Sequence, residues 1–192
     1  MQNNINNVSF QANLKPLTKI NKKTEFIEAK KIFTEATKDY PNDNIYITRN
    51  TLGETVINLY NDTTNNFYTN KDICTKSIDK QIDELGKDKF AQKLINIFEA
   101  LKLQQAITEK LSNIKKEVFR LTKTMEININ AARNWESEGK NVIANRHKIL
   151  SKNNEAKINQ FKTEEKTLSD EYNKKIDELG KEFKEITRLK IR

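Results

Sequence analysis

The chain is poor in residues that make turns and cross-links. Its 192 residues include four Gly, two Pro and one Cys. Because turns depend on Gly and Pro, a chain of this length with so few of them must place most of its residues in long elements, which we expect to be helices. Cys74 has no second Cys to pair with and no His or Cys beside it at metal-ligand spacing, so we interpret it as an unreactive thiol.

Long apolar runs are also missing. No stretch approaches the ~18 apolar residues that a membrane span needs, and the first residues lack the basic and apolar segments of a secretory signal. Hydrophobic residues make up 35% of the chain and charged residues 32%, a balance typical of a soluble protein with a modest core. We therefore expect a soluble protein of the cytoplasm without a membrane span.

The residues needed for catalysis are sparse. The only histidine, His147, lies between Ile143 and Leu150 at a position that we assign to a helix seam, and a general base needs partners that are not present nearby. There is no Gly-rich phosphate loop, no Ser-His-Asp set and no cluster at metal-ligand spacing. We expect no enzymatic activity, no cofactor and no metal site.

Residues 1–70 differ in pattern from the rest. Apolar residues alternate from Val8 to Leu14, which predicts a strand, and the three- and four-residue steps from Phe26 to Tyr40 predict a helix from about Thr24 that ends before Pro41. The β-branched and aromatic runs at 45–48 and 55–60 predict a hairpin. We predict a small βαββ domain over residues 1–70, in which the polar segment 61–70 is a linker.

From residue 71 onward the pattern is helical. Heptad-like runs at 107–125 and 158–186 lie on either side of the segment 134–141, which contains Gly139. If the chain reverses there, residues 71–192 form a long antiparallel coiled-coil hairpin; the competing interpretation is one continuous helix that dimerises in parallel. The predicted fold is therefore α+β, mostly α. The hairpin is expected to bring Ile114 near 147–152 and Phe98 near Leu179 and Phe183.

The start of the first helix is apolar on too many sides for a two-helix seam. Nine of the fourteen residues from Phe90 to Leu103 are apolar, so this stretch must be covered by the βαββ domain or by a second protomer. Trp135 beside the predicted turn either closes the last layer of the seam or anchors a partner or a membrane surface. The candidate interaction surface is Phe90, Leu94, Ile97, Phe98, Leu101 and Trp135.

The string Ile-Asp-Glu-Leu-Gly-Lys occurs twice, at 82–87 and at 176–181. The apolar spacing slips across Gly86, and Gly inside a helix costs about 1 kcal/mol relative to Ala, so we predict a kink there. Through Gly180 the spacing continues without a slip, which predicts an uninterrupted helix. Because the two copies are expected to differ in conformation, we assign them no shared function.

The net charge of +8 is concentrated in one region. Residues 102–152 contain eleven basic side chains and five Glu, a balance of +6, although only six residues of the whole chain are Arg. We expect a non-enzymatic scaffold or protein-protein interaction protein whose helices bind another protein or a second copy of the chain. The alternative is binding of nucleic acid or another polyanion by this region. The candidate polyanion-binding residues are Lys115, Lys116, Arg120, Lys123, Arg133, Lys140, Arg146 and Lys148.

Overall fold

A computed structural model describes residues 13–16, 24–40, 42–49, 55–61, 66–70 and 78–191 of the chain. It divides the chain into two compact units, which we call unit 1 (residues 1–104 and 174–192) and unit 2 (residues 105–173). Unit 1 therefore includes the first part of the long helical region in addition to the segment 1–70.

Unit 1 contains a four-stranded sheet with the order β1-β2-β3-β4. The strands are β1 (Asn13–Pro16), β2 (Asp43–Arg49), β3 (Thr55–Asn61) and β4 (Asn66–Asn70), and β1 is parallel to β2 whereas the other pairs are antiparallel. The predicted hairpin of β2 and β3 is confirmed. The predicted strand at Val8–Leu14 is described only from Asn13, because residues 1–12 lie outside the described part. The strand β4 lies in the segment that we had predicted to be a linker.

Helix α1 (Thr24–Ala36) connects β1 to its parallel neighbour β2. Its start at Thr24 and its end before Pro41 confirm the prediction. One apolar face of α1, formed by Phe26, Ala29 and Phe33, is buried, and so is the face of the sheet formed by paired residues of β2 and β3. That face consists of Ile45, Ile47, Ile57 and Leu59.

Helix α2 (Ile78–Ser137) is interrupted once, at Gly86, whose φ of 71° and ψ of 168° are not helical. This confirms the predicted kink. A backbone with positive φ and extended ψ is essentially restricted to glycine, so the first copy of the repeated string needs its Gly86 for this break.

The turn after α2 is built by backbone hydrogen bonds around Gly139, which has a φ of 74°. The Lys140 N–H donates to the Trp135 carbonyl at 2.8 Å and the Gly139 N–H donates to the Glu136 carbonyl at 3.0 Å. These are the two bonds of a Schellman helix end. The chain then enters helix α3 (Asn141–Leu179), so the predicted reversal near Gly139 is confirmed.

The antiparallel pairing of α2 with α3 is visible within each unit. In unit 2, Lys115 Nζ lies 3.9 Å from Glu165 Oε1, and in unit 1 the Asn96 side-chain amide donates to the Leu179 carbonyl at 3.2 Å. The second contact agrees with the expected approach of Phe98 to Leu179. The expected approach of Ile114 to residues 147–152 is wrong, because residues equally distant from the turn pair with each other and Ile114 therefore lies opposite the region of Glu165.

The end of α3 contradicts the prediction of an uninterrupted helix. The helix stops at Leu179, Gly180 is in a turn, and a short 3-10 helix follows at Lys184–Leu189. A Cβ on Gly180 would lie 2.5 Å from Thr187 Cγ2, so this glycine permits the close approach of the 3-10 helix. The second copy of the repeated string thus also ends a helical stretch, but through close packing rather than positive φ.

Candidate functional site

Five of the six residues of the predicted interaction surface are core residues of unit 1. Phe90, Leu94, Ile97, Phe98 and Leu101 are between 0% and 2% exposed. The rings of α1 cover them, with centroid distances of 6.4 Å from Phe26 to Phe90 and 5.8 Å from Phe33 to Phe98. The N-terminal segment of the same chain therefore covers this surface, as one of the two alternatives predicted. The surface is not open to a partner.

Trp135, the sixth predicted residue, is half-buried at the end of α2 in unit 2. The Lys140 ammonium lies 4.5 Å from the centre of its ring, which is within cation-π distance. The Trp135 carbonyl also accepts the Lys140 N–H of the turn. Both contacts are local, so Trp135 fixes the turn and presents only part of its ring to solvent.

The predicted basic residues are exposed on unit 2, but most of them have carboxylate partners. Arg120 contacts Glu117 at 2.9 Å and Lys123 contacts Glu126 at 3.3 Å, each pair within one helical turn. Such exposed pairs contribute roughly 0–1 kcal/mol and are easily exchanged for another partner. The remaining pairs are Lys115 with Glu165, Lys140 with Glu138 and Lys148 with Glu136.

Three of the predicted basic residues have no ion pair among the described residues: Lys116, Arg133 and Arg146. Lys116, Arg120 and Lys123 follow spacings of four and three and so share one face of α2. Arg146 lies on α3. The structure therefore distributes the predicted set over α2, the turn at Lys140 and α3.

The first three turns of α3 expose their largest apolar side chains. Val142 is 73% exposed, Ile143 38%, Ile149 58% and Leu150 50%. The two doublets are seven residues apart, so they occupy one side of the helix, with Arg146 between them. We call these four residues the α3 stripe.

Small and polar side chains occupy the face of α3 that packs on α2 in the same turns. Ala144 is fully buried, and His147, Ser151 and Asn154 are half-buried. His147 Nδ1 lies 2.9 Å from Asn128 Oδ1 of α2, within hydrogen-bond distance. In these turns α3 therefore has the opposite arrangement from an ordinary amphipathic helix, in which the large apolar residues face the neighbour.

Sequence reasoning missed the α3 stripe because it assigned Ile143 and Leu150 to the seam together with His147. The structure confirms a seam position for His147 but places Ala144, not Ile143, beside it. The repeated doublets Val142-Ile143 and Ile149-Leu150 were the available signal, since two adjacent apolar residues cannot both point into a narrow seam.

A cavity of about 450 Å³ lies in unit 1 where the start of α2 meets the C-terminal 3-10 helix. Its lining includes Gln81, Lys93, Phe183, Glu185 and Arg188. The Lys93 side chain is 7% exposed, forms an ion pair with Glu185, and has its Nζ 5.8 Å from the centre of the Phe183 ring.

The ion pair also controls the titration of Glu185. Partial burial raises the pKa of the Glu185 carboxyl. The hydrogen bond from Lys93, a backbone hydrogen bond and the positive charges of Lys93 and Arg188 together outweigh burial and hold the pKa below its ordinary value of 4.5. The buried charge of Lys93 is thus used to hold the 3-10 helix against α2, and we assign this cavity a structural role.

Among the described residues, no three His, Cys, Asp or Glu side chains are grouped so as to hold a metal ion. Within the same residues, none of the helices has the length and apolar character needed to cross a membrane. Comparison of the chain with protein-family models, with curated proteins and with solved structures finds no match.

Proposed function

We propose that this chain is a non-enzymatic interaction protein of the cytoplasm that binds a protein partner through the α3 stripe of unit 2. One observation carries the proposal: four large aliphatic side chains are 38–73% exposed on one side of the first turns of α3, where the packed face is formed by small and polar residues. Single exposed apolar residues are common on protein surfaces and need no explanation. A continuous group on one helix face is typical of a protein-binding surface.

The packing of α3 supports this assignment. Because Ala144, His147, Ser151 and Asn154 face α2, the α3 stripe is not needed to close the seam. Burying a Val, Leu or Ile side chain fully against a partner is worth about 1.5–3 kcal/mol, so four partly exposed side chains provide a favourable term for association. A helix face of this size fits a small and transient interface.

Photo-cross-linking in cells tests the proposal. A photoreactive amino acid at Ile149 is expected to form a covalent adduct with one predominant protein. The same group at exposed Glu155, six residues further along and on another side of the helix, should not. The adduct protein, once purified, should bind the unmodified chain and lose binding to the double variant Val142→Ser/Ile149→Ser. Equal adducts from both positions, or none from Ile149, would overturn the proposal.

A second candidate function is the binding of nucleic acid or another polyanion. It is favoured by the +6 balance of residues 102–152 and by Lys116, Arg133 and Arg146, for which no ion pair is present within the described residues. Each phosphate that these residues neutralise releases counterions, so the log-log dependence of affinity on salt should have a slope of about −0.9 per contact on duplex DNA.

Titration with a generic duplex and a single strand, at low and at physiological salt, tests the second function. Binding that persists at physiological salt, and that the triple change of Lys116, Arg133 and Arg146 to Glu removes, would replace the first proposal with this one. Absence of binding even at low salt eliminates it.

A further inference from the structure

The charge around the α3 stripe indicates which kind of partner it fits. We infer, on the basis of the proposed function, that its occupant is an acidic amphipathic helix of another protein.

The shape of the α3 stripe is that of one convex helix side. Val142 and Leu150 are eight residues apart, which is about 12 Å along the axis, and the two apolar doublets leave a space of one turn between them. Helices pack by placing the side-chain ridges of one into the grooves of another. A partner helix lying alongside can bury both doublets with apolar residues at spacings of three, four and seven.

The charge of the surrounding segment is positive. Residues 139–154 contain four basic residues and no acidic residue. The charges of Lys140 and Lys148 are compensated by Glu138 and Glu136 of the preceding segment. Arg146 and Lys152 are exposed and have no ion pair among the described residues. A partner that brings carboxylates to the stripe therefore gains complementary charge.

The central position of Arg146 disfavours a second copy of the chain. In an interface related by two-fold symmetry, a residue near the centre of the patch meets the same residue of the other copy. Because Arg146 lies midway between the two doublets, such a pairing would bring two guanidinium groups together. Like charges across an interface are unfavourable, whereas a carboxylate at this point forms a bidentate pair.

The α3 stripe also fits a protein helix better than it fits a membrane surface or a nucleic acid. A helix that lies in a membrane interface keeps its basic residues on the polar face and an uninterrupted apolar face toward the acyl chains, but here a guanidinium lies within the apolar face. Single-stranded nucleic acid is held by aromatic stacking platforms, whereas the α3 stripe is aliphatic. An acidic amphipathic helix supplies both the apolar contacts and the carboxylate.

The test uses the full chain and two helical peptides of 18 residues. Both peptides carry Leu at positions 4, 8, 11 and 15; one has Glu and the other Lys at the flanking positions, with end caps to maintain helicity. We expect the acidic peptide to bind at least about tenfold more tightly than the basic one by fluorescence anisotropy at physiological salt. The variant Val142→Ser/Ile149→Ser should bind neither peptide.

Charge reversal makes the test specific. Arg146→Glu should weaken the acidic peptide by about tenfold or more and improve the basic one. The matched control is Lys166→Glu, which makes the same change at an exposed position of α3 about 30 Å further along the helix and should leave both affinities within about twofold. Circular dichroism confirms that the variants remain folded.

Three results would overturn the inference: equal affinity for the two peptides, binding of neither, or an Arg146→Glu variant with the preference of the original chain. Anionic vesicles or a DNA duplex that bind more tightly than the acidic peptide would also overturn it, in favour of that partner. The cross-linking at Ile149 reports independently whether any protein occupies the α3 stripe, so a protein partner without acidic preference defeats this inference and leaves the proposed function intact.

Discussion

Units 1 and 2 use the same long helices in different ways. In unit 1 the helical residues are surrounded by α1 and by each other, and Phe90, Ile97 and Phe98 are at most 2% exposed. Within unit 2 each helix has a single helical neighbour, and its most buried large side chains, such as Leu111, Leu121 and Tyr172, retain 4–8% exposure. The number of neighbouring elements, rather than the apolar content of a helix alone, sets the depth of the core.

The largest expected effect tests this difference in core depth. Phe98→Ala should lower the free energy of unfolding by about 3–5 kcal/mol, because Phe98 packs against Phe33 and Tyr40 in a closed core. Leu121→Ala in unit 2 should cost about 2 kcal/mol, because water can enter the space left beside a two-helix seam. Chemical denaturation of the full chain measures both values. A larger loss for Leu121→Ala would contradict the comparison.

The two units should also differ in how much an ion pair contributes to stability, although the expected effects are smaller than those of the core changes. Glu185→Gln should lower the free energy of unfolding by about 2–3 kcal/mol, since it leaves the buried Lys93 ammonium without a carboxylate. The matched change in unit 2 is Glu165→Gln, whose partner Lys115 is 69% exposed, and it should change stability by less than about 0.5 kcal/mol. Equal effects of the two changes would mean that the Lys93 pair is no more buried in solution than the Lys115 pair.

The stability of unit 1 should depend on pH in the acid range, and that of unit 2 in the alkaline range. Because the folded-state pKa of Glu185 lies below 4.5, its contribution is present above that pH and is lost as pH falls through the lower value; Glu185→Gln should flatten this acid dependence. In unit 2, burial raises the pKa of Tyr172 to about 12 from 10, so its contribution is present below pH 10 and is lost as pH rises toward 12. Tyr172→Phe should remove that alkaline loss in thermal unfolding.

Replacing either glycine of the repeated string in unit 1 with Ala should destabilise the fold, but for different reasons. Gly86→Ala has open space but a strained backbone, and Gly180→Ala brings a Cβ against Thr187; each should cost about 1–3 kcal/mol. Adding Thr187→Ser removes the opposing Cγ2 and should restore part of the stability of Gly180→Ala only. Restoration of Gly86→Ala by the same change would show that the two sites are coupled.

The smallest effect on stability is expected at the α3 stripe. Val142→Ser and Ile149→Ser should each change the free energy of unfolding by less than about 0.5 kcal/mol, because both side chains are more than half exposed. The control is Ala144→Ser, which places a hydroxyl in the buried seam position of the same helix and should be more destabilising. Loss of stability in the stripe variants comparable with that control would mean that these residues are packed in solution.

The sequence alone determined the helical architecture. The spacing of apolar residues predicted α1, the reversal at Gly139 and the kink at Gly86, and the excess of apolar residues from Phe90 to Leu103 predicted that a second element covers this stretch. These features depend on periodicity within one segment and on glycine conformations, both of which are local properties.

Tertiary structure decided the strand β4, the end of α3 at Leu179 and the side that the first turns of α3 present to α2. The strand forms by pairing of Asn66–Asn70 with β3, and α3 stops because Gly180 receives the 3-10 helix. Either Ile143 or Ala144 could occupy the seam by spacing alone. Ala144 occupies the seam together with His147, whose contact Asn128 lies nineteen residues earlier in the chain. A pattern within one helix cannot encode such a choice, because the partner side chain belongs to another helix.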